Sequence, residues 1–119
     1  MGVKSIAVLT AGGDAPGMNA AVRAVVRTAL GLGMRAHGVG RAYEGLVRGD
    51  ISELGARDVG GIIQRGGTVL QTARFPDFAK PEVQQEALRR LEARGVDALV
   101  VIGGDGTMRG AAALHRLGF

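Results

Sequence analysis

The sequence predicts an α/β fold, namely a three-layer, open, mainly parallel sheet of the Rossmann-like type that is incomplete in this chain. Two nearly continuous apolar runs, residues 6–9 and Ala98–Ile102, are typical of strands buried on both faces of a parallel sheet. A glycine-rich segment follows each run and precedes a stretch of helical periodicity. Both loops are therefore expected at strand carboxyl ends, where open α/β sheets bind ligands. No further strand follows the last helix, so we expect the sheet to be incomplete.

The pattern predicts these elements in chain order: strand 4–10, helix 18–30, strand 34–41, a loop with a possible short hairpin to residue 54, short helix 59–64, an irregular exposed segment 68–80, a helix opened by Pro81, strand Ala98–Ile102, and a final helix to about residue 117. Gly31 and Gly95 are placed to end the helices that precede them. Pro81 suits a first helical turn, and Glu86 and Arg90 are spaced for an ion pair on that helix. Gly66 and Gly67 are expected to stop the short helix.

Composition excludes several classes of protein. The chain has 119 residues, no cysteine and 46% hydrophobic residues, which fits one compact domain and excludes a disulfide framework or a disordered tail. His37 and His115 are too few for a transition-metal cluster. No apolar stretch approaches the roughly 20 residues of a membrane span. We therefore expect a cytoplasmic protein without a membrane partner.

The charge is +4, and 13 of the 15 basic residues are arginine. Arginine suits bidentate recognition of phosphate or carboxylate, although a compositional bias of the source organism would give the same count. The arginines are scattered along the chain and aromatic residues make up only 3% of it, so nucleic acid is not the expected partner.

The first glycine-rich loop, Gly12-Gly13-Asp14-Ala15-Pro16-Gly17, lies between a strand and a helix. Free N–H groups at a helix N-terminus make such a loop a seat for phosphate. A tight turn that needs positive φ explains the same residues equally well. The loop lacks the lysine and hydroxyl residue of a Walker loop and does not match the dinucleotide fingerprint.

The second loop, Gly103-Gly104-Asp105-Gly106-Thr107, adds a carboxylate and a hydroxyl to its glycines. Mg²⁺ prefers one or two carboxylates together with water and substrate phosphates, which suits Asp105. The backbone N–H groups of Gly106 and Thr107 can hold phosphoryl oxygens. Asp105 as a simple helix cap is the alternative, but a cap does not require three flanking glycines.

A third segment places Arg74 beside Phe75 on a loop. A guanidinium can stabilise charge on a transferring phosphoryl group, and an aromatic ring can lie against a base. Taken alone, this pair is also what a solvated surface loop would show.

Together these segments resemble the bacterial type of ATP-dependent 6-phosphofructokinase. The resemblance rests on four blocks that occur in order over the whole chain: Leu9-Thr10-Ala11-Gly12-Gly13-Asp14-Ala15-Pro16-Gly17-Met18-Asn19-Ala20, Tyr43-Glu44-Gly45-Leu46, Arg65-Gly66-Gly67-Thr68 with Thr72-Ala73-Arg74-Phe75-Pro76, and Val101-Ile102-Gly103-Gly104-Asp105-Gly106-Thr107.

The resemblance implies transfer of a phosphoryl group from ATP to the C1 hydroxyl of fructose 6-phosphate, with Mg²⁺ as cofactor. The ATP-binding residues that it implies are Gly13, Tyr43, Arg74, Phe75, Gly104, Asp105, Gly106 and Thr107. Arg74 would contact the transferred phosphoryl group, and Asp105 would hold Mg²⁺. Gly106 implies use of ATP, because pyrophosphate-dependent relatives typically carry an aspartate there, which would disfavour the α-phosphate.

The resemblance also implies allosteric control of a homotetramer. Arg23 and Arg27 match arginines that bind the effector, ADP or phosphoenolpyruvate, at a subunit interface. Without the resemblance, their i,i+4 spacing fits a solvated helix face equally well. Ala56 stands where the bacterial pattern often has another effector arginine, which is a departure from that pattern.

A larger departure from the family pattern is that the chain lacks the catalytic aspartate, which the resemblance places after Phe119. The chain is therefore expected to be the N-terminal, ATP-binding part of the fold and to be inactive by itself. Two alternative functions fit part of the same pattern. One is an NAD kinase or diacylglycerol kinase type of enzyme, which shares the Gly-Gly-Asp-Gly-Thr loop but lacks the first block. The other is a non-catalytic nucleotide-binding module.

Overall fold

The computed structural model describes residues 2–12, 17–62 and 68–119. Within these ranges the strands are β1 (Ser5–Thr10), β2 (Arg35–Val39), β3 (Ile51–Leu54) and β4 (Ala98–Ile102). The α-helices are α1 (Met18–Gly31), α2 (Ala42–Arg48), α3 (Ala56–Val59), α4 (Pro81–Ala93) and α5 (Asp105–Arg116), and a 3-10 helix covers Pro76–Ala79.

The described strands form one sheet in the order β3-β2-β1-β4. β1 lies at its centre and pairs in parallel with β2 and with β4, whereas β3 runs antiparallel to β2. The Asp97 carboxylate accepts hydrogen bonds from the backbone N–H groups of Lys4 and Ser5 at 2.9 and 3.0 Å, which fixes the start of β4 against β1. The predicted open, mainly parallel sheet is confirmed.

Helices cover both faces of the sheet, because successive side chains of β1 point to opposite sides. Ile6 and Val8 pack in a core with residues of α1 and α3. Ala7 and Leu9 pack in a second core with residues of α2, α4 and α5. Two apolar layers on a strand that is buried along its whole length give the three-layer arrangement that the apolar run at 6–9 predicts.

Most predicted elements are confirmed, with one clear error. The stretch up to residue 54 is helix α2 followed by strand β3, not a loop with a short hairpin. The helix escaped prediction because Gly45 lowers helical propensity at its centre. That glycine is required there, because a Cβ at position 45 would lie 1.5 Å from the carbonyl oxygen of Gly40.

Two smaller differences concern short helices. α3 begins at Ala56 and ends at Val59, so it overlaps the predicted helix 59–64 only at Val59. The Asp58 carboxylate accepts a hydrogen bond from the Gly55 N–H at 2.7 Å and fixes the N-terminus at this earlier position. The rest of that prediction, from Ile63 to the stop at Gly66 and Gly67, lies outside the described residues. The segment 68–80 is not wholly irregular, since Pro76 begins the 3-10 helix.

None of the helices in the described ranges combines the length and the apolar character needed to cross a membrane.

Candidate functional site

Ala11 and Gly12, which follow β1, lie beside the glycine loop that follows β4 at the carboxyl edge of the sheet. The Ala11 N–H donates to the carbonyl oxygen of Ile102 at 2.9 Å, which extends the pairing of the two strands into the loops. Adjacent parallel strands thereby bring residues from opposite ends of the sequence to one place.

A cavity of about 770 Å³ opens beside these loops. Its walls come from the two strand-end loops, α2, the segment 72–79, one residue of α4 and one side of α5. The lining residues are Ala11, Gly12, Tyr43, Thr72, Ala73, Arg74, Phe75, Pro76, Phe78, Ala79, Gln84, Gly104, Asp105, Gly106, Thr107, Arg109, Gly110, Ala113 and Arg116. The volume is in the range of small-molecule and cofactor sites.

Tyr43 forms a wall of the cavity and joins three elements. Its ring stacks on Phe78 with centroids 4.2 Å apart, and its hydroxyl donates to the carbonyl oxygen of Thr107 at 2.6 Å. The ring lies so close to α5 that a Cβ at Gly110 would stand 2.6 Å from it. Burial raises the pKa of Tyr43 to about 12, against a smaller opposing effect of the Ala111 backbone.

The backbone leading into Tyr43 is strained. Arg41 and Ala42 have φ values of 60° and 56°, in the left-handed region that non-glycine residues seldom adopt. The Arg41 N–H donates to the carbonyl oxygen of Leu70 at 2.8 Å and holds this conformation. Such strain persists only where surrounding contacts impose it, and here it fixes the start of α2 and the position of Tyr43.

The segment that follows residue 67 is attached to the end of β1 by side chains. The Thr10 hydroxyl lies 2.9 Å from the Thr68 hydroxyl and donates to the Gln71 carbonyl oxygen at 3.1 Å. The Val69 N–H donates to the Asn19 amide oxygen at 2.5 Å. Arg74 and Phe75 therefore follow a segment that hydrogen bonds hold against the end of β1 and the start of α1.

The N-terminus of α5 faces the cavity without a side-chain cap. Gly104 is the N-cap residue and Asp105 begins the helix, and the glycine N-cap has no side chain that could accept a hydrogen bond from the first turn. The capping role weighed for Asp105 is thus not what its side chain performs here. Free N–H groups and the positive end of the helix dipole favour an anion.

Among the described lining residues, the charged side chains are three arginines and one carboxylate, Arg74, Arg109, Arg116 and Asp105, which together carry a net charge of +2. None of the three guanidinium groups has a hydrogen-bond or ion-pair partner within residues 2–12, 17–62 and 68–119. In contrast, the five described arginines that pair with carboxylates all lie outside the cavity lining. The cavity therefore presents unpaired positive charge suited to a polyanion.

The position of Asp105 suits a metal ion whose ligands come partly from the protein and partly from a substrate. The carboxylate is exposed and has no partner in the part of the chain that the structure describes. The same part contains no group of three or more histidine, cysteine or acidic side chains that could enclose a metal. One carboxylate beside an anion seat suits Mg²⁺, which keeps waters and binds substrate phosphates.

The structure brings most of the predicted site residues into one cavity. Its lining includes Tyr43, Arg74, Phe75, Gly104, Asp105, Gly106 and Thr107. Gly13 lies outside the described residues. The proposed effector residues Arg23 and Arg27 are on α1, away from this lining, and the Arg23 Nε is buried without a hydrogen-bond partner among the described residues.

Sequence reasoning missed several lining residues on α5, namely Arg109, Gly110, Ala113 and Arg116. Gly110 and Ala113 follow the predicted Gly106 at spacings of four and then three residues, which is the pattern of a single helix face and could have identified these two.

Comparison with known proteins explains this arrangement. The family model described as phosphofructokinase matches residues 5–118. The chain belongs to the phosphofructokinase family. This phosphofructokinase-family chain is 56% identical to an ATP-dependent 6-phosphofructokinase of Streptococcus suis over 98% of its own length and 35% of that protein. It is 57% identical to that of Paenibacillus macquariensis over 99% of its length and 37% of the relative.

A solved structure supports the same assignment. Phosphofructokinase from Pichia pastoris in the T-state superposes with a TM-score of 0.92 at 43% identity, over 98% of this chain and 13% of that one. The chain therefore spans about a third of the length of the curated bacterial relatives that it matches. The family match favours phosphofructokinase over the NAD kinase and diacylglycerol kinase alternative.

Proposed function

We propose that this chain forms the Mg²⁺-ATP-binding part of an ATP-dependent 6-phosphofructokinase, which phosphorylates fructose 6-phosphate to fructose 1,6-bisphosphate. One observation supports the proposal above others: a helix N-terminus with a glycine N-cap, together with a carboxylate and arginines that have no partner among the described residues, lines a single cavity. The relatives with 56–57% identity are named for the same activity. Glycolysis in the cytoplasm is the setting that this activity implies.

Each group has a role in holding the donor for phosphoryl transfer. The N–H groups at the start of α5 and the Arg74 guanidinium would bind phosphate oxygens and stabilise the charge on the transferred group. Asp105 would hold Mg²⁺, which supplies charge neutralisation when it is bound. Phe75 and Tyr43 would border the nucleoside. Gly106 carries no side chain against the α-phosphate, which favours ATP as the donor.

We further propose that Arg23 and Arg27 bind a phosphorylated effector, ADP or phosphoenolpyruvate, in a homotetramer. The two side chains are four residues apart on α1, and the buried Arg23 Nε lacks a partner among the described residues. A buried guanidinium nitrogen is stable only with a hydrogen-bond acceptor, which an effector phosphate would supply.

Calorimetric titration of the chain with ATP tests the main proposal. We expect binding with Mg²⁺ present, and at least tenfold weaker binding for Asp105→Asn, because the carboxylate that holds the metal is lost. Asp77→Asn is the matched control, since Asp77 is an exposed carboxylate near the cavity that pairs with Lys80 and does not line it. Failure of the wild-type chain to bind Mg²⁺-ATP, or equal losses in both variants, would contradict the proposal.

We expect the 119 residues alone to bind Mg²⁺-ATP without phosphorylating fructose 6-phosphate. The resemblance places the proton-accepting aspartate in the portion of the relatives that this chain does not cover. A coupled assay for fructose 1,6-bisphosphate checks this, and product formed by the chain alone would refute it.

A further inference from the structure

Arg109 lies closer to the phosphate seat than its position one turn along α5 suggests. A Cβ built on Gly106 would stand 3.7 Å from the Arg109 Nη2, so the guanidinium folds back over the first turn of the helix. The first-turn N–H groups are the ones that bind an anion. Arg109 and these N–H groups therefore border the same space.

Residue 106 determines whether the Arg109 guanidinium is free. With glycine there, Arg109 has no carboxylate partner among the described residues. At 3.7 Å from Nη2, an added Cβ would make only an ordinary van der Waals contact. A carboxylate attached to that Cβ would reach the guanidinium and pair with it.

We propose that Arg109 is a second phosphate-binding arginine of the nucleotide site, in addition to Arg74, and that Gly106 keeps it available by offering no competing carboxylate. This inference rests on the proposed function, since it concerns the phosphates of the same bound nucleotide. Arg109 and Arg74 approach from different walls, α5 and the segment 72–79. Two guanidiniums carried by different elements can hold a polyphosphate in one orientation.

The first experiment measures affinity of the chain for Mg²⁺-ATP and for inorganic triphosphate with Mg²⁺. Arg109→Ala is expected to weaken both by about tenfold, because a hydrogen bond to a charged group is lost. Arg109→Lys should retain part of the affinity, since it keeps the charge without the planar fork. Arg94→Ala is the matched control, because Arg94 is also unpaired among the described residues but lies outside the cavity.

The second experiment tests the dependence on residue 106 with a double-mutant cycle. Gly106→Asp should weaken Mg²⁺-ATP binding in both backgrounds, because its carboxylate repels the α-phosphate, but by a smaller factor once Arg109→Ala is present, because the carboxylate then has no guanidinium to capture. Gly106→Ala adds the Cβ without charge and should change the affinity less than threefold.

The outcomes separate the two proposals. If the wild-type chain does not bind Mg²⁺-ATP, the proposed function itself fails. If it binds and Arg109→Ala binds equally well, only the role of Arg109 is overturned. A loss for ATP without a loss for triphosphate would overturn phosphate contact, and additive effects in the cycle would overturn the dependence on Gly106. Circular dichroism and thermal unfolding establish that each variant is folded.

Discussion

Tyr43 is the only tyrosine in the chain, and there is no tryptophan, so its ionisation can be followed without interference. The pKa of the Tyr43 hydroxyl is 10.0 when the side chain is exposed, as in an unfolded chain, and burial raises it to about 12 in the folded protein. Below pH 10 it is neutral in both states and its contribution to stability is complete. As the pH rises from 10 towards 12, the unfolded state loses its proton first and the folded state is destabilised.

We therefore expect the free energy of unfolding to fall by about 1.4 kcal/mol per pH unit at most across this window. Urea unfolding at pH 9, 10 and 11 measures it, and the absorbance of tyrosinate follows the group directly. Tyr43→Phe is the control and should show a shallower pH dependence. Ionisation of the folded protein near pH 10 would show that the ring is not buried as described.

Gly110 permits the contact between α5 and Tyr43. We expect Gly110→Ala to destabilise the fold by about 1–3 kcal/mol and to weaken Mg²⁺-ATP binding, because its methyl group would overlap the Tyr43 ring. Gly31→Ala is the matched control, since nothing lies within 4 Å of its added Cβ. The control should be neutral or more stable by up to about 1 kcal/mol. Equal unfolding midpoints for the two variants would contradict this packing.

At the scale of elements, α4 is joined to α2 by Arg90. Its Nε donates to the Val47 carbonyl oxygen at 3.1 Å and also lies 3.1 Å from a carboxylate oxygen of Glu86 on its own helix. The predicted ion pair between Glu86 and Arg90 is thus confirmed. Arg89 pairs with the same carboxylate but makes no hydrogen bond or ion pair to another element in the described part of the chain.

We expect Arg90→Ala to lower the free energy of unfolding by about 1 kcal/mol, because a contact between helices is lost. Arg89→Ala should lower it by less than about 0.5 kcal/mol, since it removes only an exposed pair within one helix. Urea unfolding of both variants makes the comparison. A larger loss for Arg89→Ala would show that Glu86, not the bond to α2, supplies the stability.

Element prediction succeeded where local sequence and tertiary structure agree. Pro81 begins α4, Gly95 follows its end with a φ of 68°, and the apolar run at Ala98–Ile102 is a strand. It failed at α2, where the close approach of Gly40 requires a glycine inside a helix. A contact with a residue five positions away overrides propensity there, and no local pattern reports it.

The site residues also divide into those that local sequence predicts and those that only the tertiary structure reveals. The glycine loop with Asp105 was predictable because its chemistry is contiguous in sequence. Arg109 was not, since its relevance comes from the way its side chain folds back over Gly106. Phe78 likewise enters the cavity only through its stacking on Tyr43, which lies on another element.

At the scale of the whole molecule, β4 is one of the two edge strands of the described sheet, opposite β3. It pairs with β1, has no second neighbour in the described sheet, and is only partly buried along its whole length. A strand edge with unpaired backbone groups and apolar side chains pairs readily with another chain. We expect concentration-dependent self-association of the 119-residue chain, measured by sedimentation velocity.

A charged residue on β4 should reduce the self-association of the chain. Val101→Lys is expected to shift the chain towards monomer, because a charged side chain on an edge strand opposes pairing. Val3→Lys is the matched control, since Val3 is an exposed apolar residue outside β4. A wild-type chain that stays monomeric at all concentrations, or equal effects of both lysines, would contradict a role for this edge.

The pairing of β1 with β4 also determines the order of assembly. The hydrogen bonds from Lys4 and Ser5 to Asp97 close loops of 93 and 92 residues, and closing such long loops carries a large entropic cost. During synthesis from the N-terminus, β1, α1 and β2 can associate well before β4 exists. Ala11 and Gly12 meet the loop that follows β4 only when β4 docks on β1, so we expect nucleotide binding to require this late pairing.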